Sequence, residues 1–127
     1  MARILIVDDS PSQVTGISRI VEKLGHTPIT AEDGAAGVEA AKRELPDLIL
    51  MDVVMPNLNG FQATRSITRE PATKHIPVIL VTTKDQDTDR VWGMRQGAKA
   101  YLTKPFGEDE LAELIARYLA SGGPAAA

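Results

Sequence analysis

The chain has 127 residues, 43% of them hydrophobic, with a formal net charge of -3 and no cysteine. One domain of about modal size is expected, with disulfide and thiolate chemistry excluded. No basic excess invites nucleic acid or anionic membrane, and no apolar run reaches transmembrane length. Charge returns at Asp8 and Asp9, too early for the apolar core of a signal peptide, so the cytoplasm is the expected compartment.

Residues 3–8 read as a first strand through Ile4-Leu5-Ile6-Val7. Asp9 or Ser10 caps the helix that follows, with Pro11 in its first turn. Val14, Ile17, Ile20, Val21 and Leu24 recur at three and four, giving that helix one apolar stripe, and Gly25 ends it. Pro28–Ala31 is a short second strand whose proline suits a sheet edge. A second helix spans about Gly34–Glu44 after the Asp33-Gly34 turn signal, with Ala35, Val38, Ala41 and Leu45 expected to face inward.

Leu48-Ile49-Leu50-Met51 is a continuous apolar run, as in a strand covered on both faces. Asp52 falls at its C-terminal end, before Pro56 and the turn-forming Gly60. A third helix starts near Phe61, buries Ala63, Thr64 and Ile67, and ends at Pro71. Val78-Ile79-Leu80-Val81 leads to Thr82 and Thr83, and a helix over about Thr88–Gln96 follows, with Val91 expected as its most inward residue and Trp92 on a flank. The last strand is Ala100–Leu102, running into Thr103-Lys104-Pro105-Phe106. The last helix, 107–120, carries Leu111, Leu114, Ile115 and Tyr118, with acidic residues at its start. Residues 121–127 read as a flexible tail after a single domain over 1–120.

Five βα units imply right-handed crossovers and an α/β, three-layer doubly wound sandwich. The sheet is expected to be parallel and five-stranded, in the flavodoxin-like order 2-1-3-4-5, which sets strands one and three side by side. Ligands in such sheets bind at the carboxyl ends of the strands. There Asp8, Asp9 and Asp52 gather with Thr82 and Lys104. Carboxylate oxygens suit octahedral Mg2+, and an aspartate can accept a phosphoryl group whose oxygens then need a metal, a hydroxyl and a lysine. His26 and His75 have no partners at ligand spacing.

These motifs together resemble the receiver domain of a two-component response regulator, the CheY-like family, over roughly residues 2–120. They are Ile6-Val7-Asp8-Asp9-Ser10, Leu50-Met51-Asp52 with Met55-Pro56 and Gly60, Val81-Thr82, Gly97-Ala98, and Tyr101-Leu102-Thr103-Lys104-Pro105-Phe106. The stretch Asn59–Arg65, with Thr82–Asp85, Val91–Gly93 and Arg95–Gly97, is similar to stand-alone regulators of type IV pilus twitching motility.

The resemblance implies that Asp52 accepts a phosphoryl group from a phosphohistidine on a CheA-like histidine kinase. Asp9 would be the principal Mg2+ carboxylate, with Asp8 holding metal-bound water and the Val54 carbonyl supplying another oxygen. Thr82 and Lys104 would bind the phosphoryl oxygens. Tyr101 would change rotamer on activation, altering the surface of helix four, strand five and helix five, with Lys84, Arg90, Met94 and Trp92 on or near it. Its target would be a pilus-motor or chemotaxis-like protein, and the protein a monomer that catalyses its own phosphoryl transfer and loss.

Three other readings compete. A DNA-binding or enzymatic regulator would need more chain, since one helix follows Lys104. A degenerate receiver acting only as an interaction module conflicts with the intact Asp8, Asp9, Asp52, Thr82 and Lys104. A flavodoxin-like electron carrier would want a Ser/Thr/Gly phosphate loop after the first strand, where Asp8 and Asp9 would repel phosphate.

Overall fold

The computed structural model describes residues 1–122. The elements are β1 (Arg3–Val7), α1 (Pro11–Lys23), β2 (Thr27–Ala31), α2 (Gly34–Glu44) and β3 (Leu48–Met51), then α3 (Gly60–Arg69), β4 (Val78–Thr82), α4 (Asp87–Arg95), β5 (Ala100–Thr103) and α5 (Glu108–Gly122). The strands form one parallel sheet in the order β2-β1-β3-β4-β5, as expected. Of the expected tail, residues 121–122 continue α5, and 123–127 lie outside the described residues.

Side-chain alternation along the strands divides the core in two. Leu5, Val7, Ile49, Met51, Val78 and Leu80 face one side, where Val38 and Ala41 of α2 and Phe61, Ala63 and Ile67 of α3 cover them. Ile4, Ile6, Leu48, Leu50, Ile79 and Val81 face the other, against Ile17 and Val21 of α1 and Leu111 and Ile115 of α5. Each such buried aliphatic side chain contributes roughly 1.5–3 kcal/mol. A strand buried on both faces cannot shift register without exposing apolar surface, so its C-terminal residue is held firmly in place.

Local chemistry sets the helix ends. Pro11 opens α1, and beyond its last turn Gly25 adopts φ +89°, which a side chain would resist. Asp33 caps α2 by accepting the Ala36 N–H at 2.8 Å. Asn59 and Gln62 form a reciprocal capping box at the start of α3.

Three expectations about helix faces need correction. Leu45 is half-exposed in a left-handed cap (φ +46°), and Ala35 is exposed, while Gly34, Gly37 and Ala40 are buried instead. Val91 is 54% exposed, and the α4 residue against the sheet is Gly93. A Cβ there would meet Leu80 Cδ1 at 2.6 Å, so close approach of the backbone replaces an apolar stripe. Gly60, expected to close the loop before a helix beginning near Phe61, is itself the first residue of α3. An added Cβ at Gly60 would lie 2.0 Å from the carbonyl oxygen of Asp52, so only glycine lets α3 start against the β3 terminus.

Candidate functional site

β1 and β3 are adjacent and in register from Ile4–Leu48 to Val7–Met51. The residues after these strands therefore emerge together. Asp8, Asp9 and Asp52 each offer a carboxylate oxygen, all within 4.8 Å of one another, and among the described residues this is the one such acidic group. It opens into a cavity of about 530 Å³ lined also by Ser10, Gln13, Val54, Thr83, Lys104, Pro105 and Phe106.

Asp8 is almost fully buried, and both its oxygens are engaged. Oδ1 accepts the Ser10 N–H at 2.9 Å, and Oδ2 accepts a hydrogen bond from Lys104 Nζ at 2.9 Å. Asp52 Oδ1 accepts its neighbour's N–H, from Val53, at 2.8 Å and lies 3.9 Å from Lys104 Nζ. Burial raises the Asp52 pKa above the usual carboxylate value; Lys104 opposes this, Asp8 adds to it, and the Val53 N–H and the Thr82 hydroxyl oppose it. Asp9 is exposed at the rim.

Thr82 ends β4 fully buried, and its Oγ1 accepts the Lys84 N–H at 3.3 Å. Lys104 follows β5 through a cis peptide to Pro105, and its N–H donates to the Thr82 carbonyl at 2.8 Å. Thr83 is exposed on the cavity wall. Val54 is 55% exposed on the same wall.

Three close carboxylates with no histidine or cysteine are hard oxygen donors, a set that suits Mg2+ and not Zn2+. Asp8, with Ser10 and Lys104 on its two oxygens, is better placed to hold a metal-bound water than to bind directly. Asp9 and Asp52 each also offer an oxygen that could bind a cation directly. Mutual repulsion within the cluster is partly offset by Lys104, and a bound cation would relieve the remainder.

The expected signalling residues stand apart from this cavity. Tyr101 is half-buried against the α4 side of the core, and its hydroxyl donates to the Lys84 carbonyl at 2.7 Å. Burial, reinforced by Asp89, pushes its pKa up to about 12, so the phenol stays a donor at ordinary pH. Trp92 and Met94 are exposed on α4, as is Lys84 before it.

Gln13 also lines the cavity, a position the sequence pattern does not mark. Of the two cap candidates, Asp9 and Ser10, Ser10 stands at the N-cap of α1 but makes no side-chain cap bond; its N–H bond to Asp8 is an Asx turn that the Asp-Asp-Ser order permits. Phe106 closes the strand-end motif that carries Lys104, whereas no comparable signal marks Gln13, which reaches the cavity only through tertiary placement.

Comparison with known proteins places these features in context. Residues 4–116 match the response regulator receiver domain family. The chain is 58% identical over 120 residues to protein PilH of Pseudomonas aeruginosa, covering 94% of this chain and 99% of that protein. It is similar to the Vibrio cholerae chemotaxis protein CheY4, with a TM-score of 0.87 and 30% identity over 93% of this chain and 98% of that one. The receiver domain of the Pseudomonas aeruginosa sensor histidine kinase PA1611 has a TM-score of 0.87 and 34% identity, covering 94% of this chain and 98% of that one. That structure holds a magnesium ion coordinated in its active-site cleft.

Proposed function

Because the chain belongs to the response regulator receiver domain family, we propose that Asp52 accepts a phosphoryl group from a phosphohistidine of a CheA-like histidine kinase, in a reaction that requires Mg2+. The carrying observation is the meeting of Asp8, Asp9 and Asp52 beside Lys104 in one cavity. A carboxylate oxygen of Asp52 attacks phosphorus in line with the histidine nitrogen. A P–O bond forms, the P–N bond breaks, and the nitrogen keeps the electron pair.

The Val53 N–H fixes the Asp52 carboxylate during this displacement. Lys104, already within 3.9 Å of Asp52, pairs with a phosphoryl oxygen, and the Thr82 hydroxyl donates to another. Asp9, Asp52 and the Val54 carbonyl would hold Mg2+, with Asp8 orienting the site from within. The chemistry such an ion would supply is neutralisation of charge on the phosphoryl oxygens.

Signalling follows from the position of Thr82. Its Oγ1 is bonded to the Lys84 N–H, whose residue also accepts the Tyr101 hydroxyl. Turning Thr82 toward the new phosphoryl group gives up the first bond and loosens the second. The surface of α4, β5 and α5, with Lys84, Arg90, Met94, Tyr101 and Trp92, is the output face. The identity to PilH supports a role in type IV pilus twitching or a chemotaxis-like pathway, with a pilus-motor or chemotaxis-like target. Among the described residues no helix is long and apolar enough to cross a membrane.

The test is intact-mass measurement after incubation with Mg2+ and acetyl phosphate. Wild type gains one phosphoryl group and Asp52→Asn gains none. No gain in wild type, or the same gain in both, rejects Asp52 as the acceptor.

A further inference from the structure

α4 is attached to the sheet in an unusual way. No apolar side chain of this helix is buried; its contact with the core is the backbone at Gly93. A helix held so lightly shifts at little cost, and its polar ties then decide where it rests.

Arg90 supplies the ties to β5, while the α4 C-cap carbonyl of Gln96 is held separately by Thr68 Oγ1 on α3 at 2.6 Å. Its Nη2 donates to Thr103 Oγ1 on β5 at 2.7 Å, and Nη1 lies 3.5 Å from the Tyr101 carbonyl oxygen. Its guanidinium carbon stands 5.1 Å from the centroid of the Tyr101 ring, within cation–π range. One side chain on α4 therefore grips the strand on both sides of Leu102 and lies over the ring. The tyrosine hydroxyl is held separately, by the Lys84 carbonyl.

We infer that Arg90 is a positioning residue that holds Tyr101 in its present rotamer and ties α4 to β5, setting how far the unphosphorylated protein populates the signalling conformation. This rests on the reading that phosphorylation acts through Thr82 and Tyr101. Movement of Thr82 loosens only the Lys84 end of the ring. The guanidinium end is untouched by the phosphoryl group and opposes the change in every state where Tyr101 stays put. A ligand-independent contact made in one conformer alone shifts the resting equilibrium toward that conformer.

The experiment records amide and Tyr101 ring chemical shifts in Mg2+, with and without the phosphoryl mimic beryllofluoride, for wild type, Arg90→Met, Arg90→Lys and Thr103→Val. Arg90→Met keeps the unbranched stem and removes the charge. Without the mimic, its 84–103 signals are expected to move along the line joining the free and mimic-bound wild-type positions. The expected size is about a tenfold rise in the ratio of signalling to resting conformer, equivalent to ~1.4 kcal/mol. Arg90→Lys restores a cation over the ring without the planar fork and should return part of the way. Thr103→Val removes one acceptor and should move a shorter distance along the same line.

Signals of Arg90→Met that stay at the wild-type resting position, or that leave the line, overturn the inference while the wild-type response to the mimic stands. A wild type whose Tyr101 does not respond to the mimic instead overturns the Thr82–Tyr101 reading, and the Arg90 role with it. If Arg90→Met fails to fold, Thr103→Val decides alone, and its lack of movement along the line overturns the role.

Discussion

Lys104 is hydrogen-bonded to Asp8 at 2.9 Å, while Asp52, the proposed acceptor, lies 3.9 Å from the same ammonium. The lysine is thus committed to the innermost carboxylate and only leans toward the acceptor. Both partners of the close pair are largely buried, with side-chain exposures of 11% and 3%.

Breaking a buried pair from one side leaves the other charge without compensation, which costs more than the pair itself contributes. Lys104→Met is therefore expected to destabilise the metal-free protein by about 3 kcal/mol, the low end for such a loss because the Ser10 N–H still serves Asp8. Mg2+ should restore a large part of it, since a cation again faces the carboxylates. Urea unfolding with and without Mg2+ measures both effects; a variant as stable as wild type without metal would show that the pair carries no net weight.

Asp9 has the opposite balance. It is exposed and adds a third charge to a crowded group. Asp9→Ala should raise stability slightly in chelator and weaken Mg2+ binding at least about tenfold, since loss of outer partners alone costs that much at metal sites. A Mg2+ titration with unchanged midpoint would remove Asp9 from the ligand set.

The sheet was legible because its strands are short, the central ones apolar on both faces, and helical segments separate them. Those patterns fix order and layers, and they place Asp8, Asp52 and Lys104 at strand ends before any coordinate is known. Less legible was whatever depends on close approach. Val91 follows the spacing of an inward residue, yet α4 comes so near the sheet that Gly93 takes that position. Leu45 fits the α2 stripe but falls on the left-handed cap, where the chain turns outward. The Asn59–Gln62 capping box is a local pattern, a short polar side chain three residues before a glutamine.

Gly60 gives a third prediction. An alanine Cβ there would sit 2.0 Å from the Asp52 carbonyl oxygen and 2.7 Å from Val53 Cα. Backbone cannot swing aside as a flexible side-chain tip can, so Gly60→Ala should cost about 3 kcal/mol despite alanine's better helix propensity. It should also lower the rate of phosphorylation, because relief of the clash displaces the acceptor's own peptide. Thermal unfolding and acetyl phosphate kinetics check the two parts; a stable, fully active variant would mean that α3 shifts freely against β3.

His26 sets a pH dependence remote from the site. Its Nδ1 accepts the Ala2 N–H at 3.0 Å. Burial, with the N-terminal ammonium, lowers its pKa below the ordinary value, and Asp47 opposes this. A lowered base binds its proton later in the folded state than in the unfolded state. Its stabilising effect is therefore full above about pH 6.5 and is lost as pH falls from there through the folded value. Urea midpoints at pH 7.5 and 5.5 should differ more for wild type than for His26→Gln, which keeps an acceptor but does not titrate. Equal differences in the two proteins would assign the pH effect elsewhere.

The last prediction concerns the lifetime of the phosphoryl group. Hydrolysis of an aspartyl phosphate needs a water held in line behind phosphorus, and a polar side chain at the cavity wall is what holds it. Val54 stands on that wall, 55% exposed, and offers only methyl groups there. Its side chain therefore neither accepts a proton from an entering water nor orients it. Replacing it with asparagine introduces a donor and an acceptor at the same place with little change in bulk. Val54→Asn should shorten the phosphoryl lifetime several-fold while leaving the rate of phosphorylation from acetyl phosphate within about twofold, since the acceptor carboxylate and Lys104 are untouched. Loss of intact-mass signal after the donor is removed gives the lifetime directly. An unchanged lifetime in Val54→Asn, with phosphorylation intact, would mean that water reaches phosphorus along a path this wall does not control.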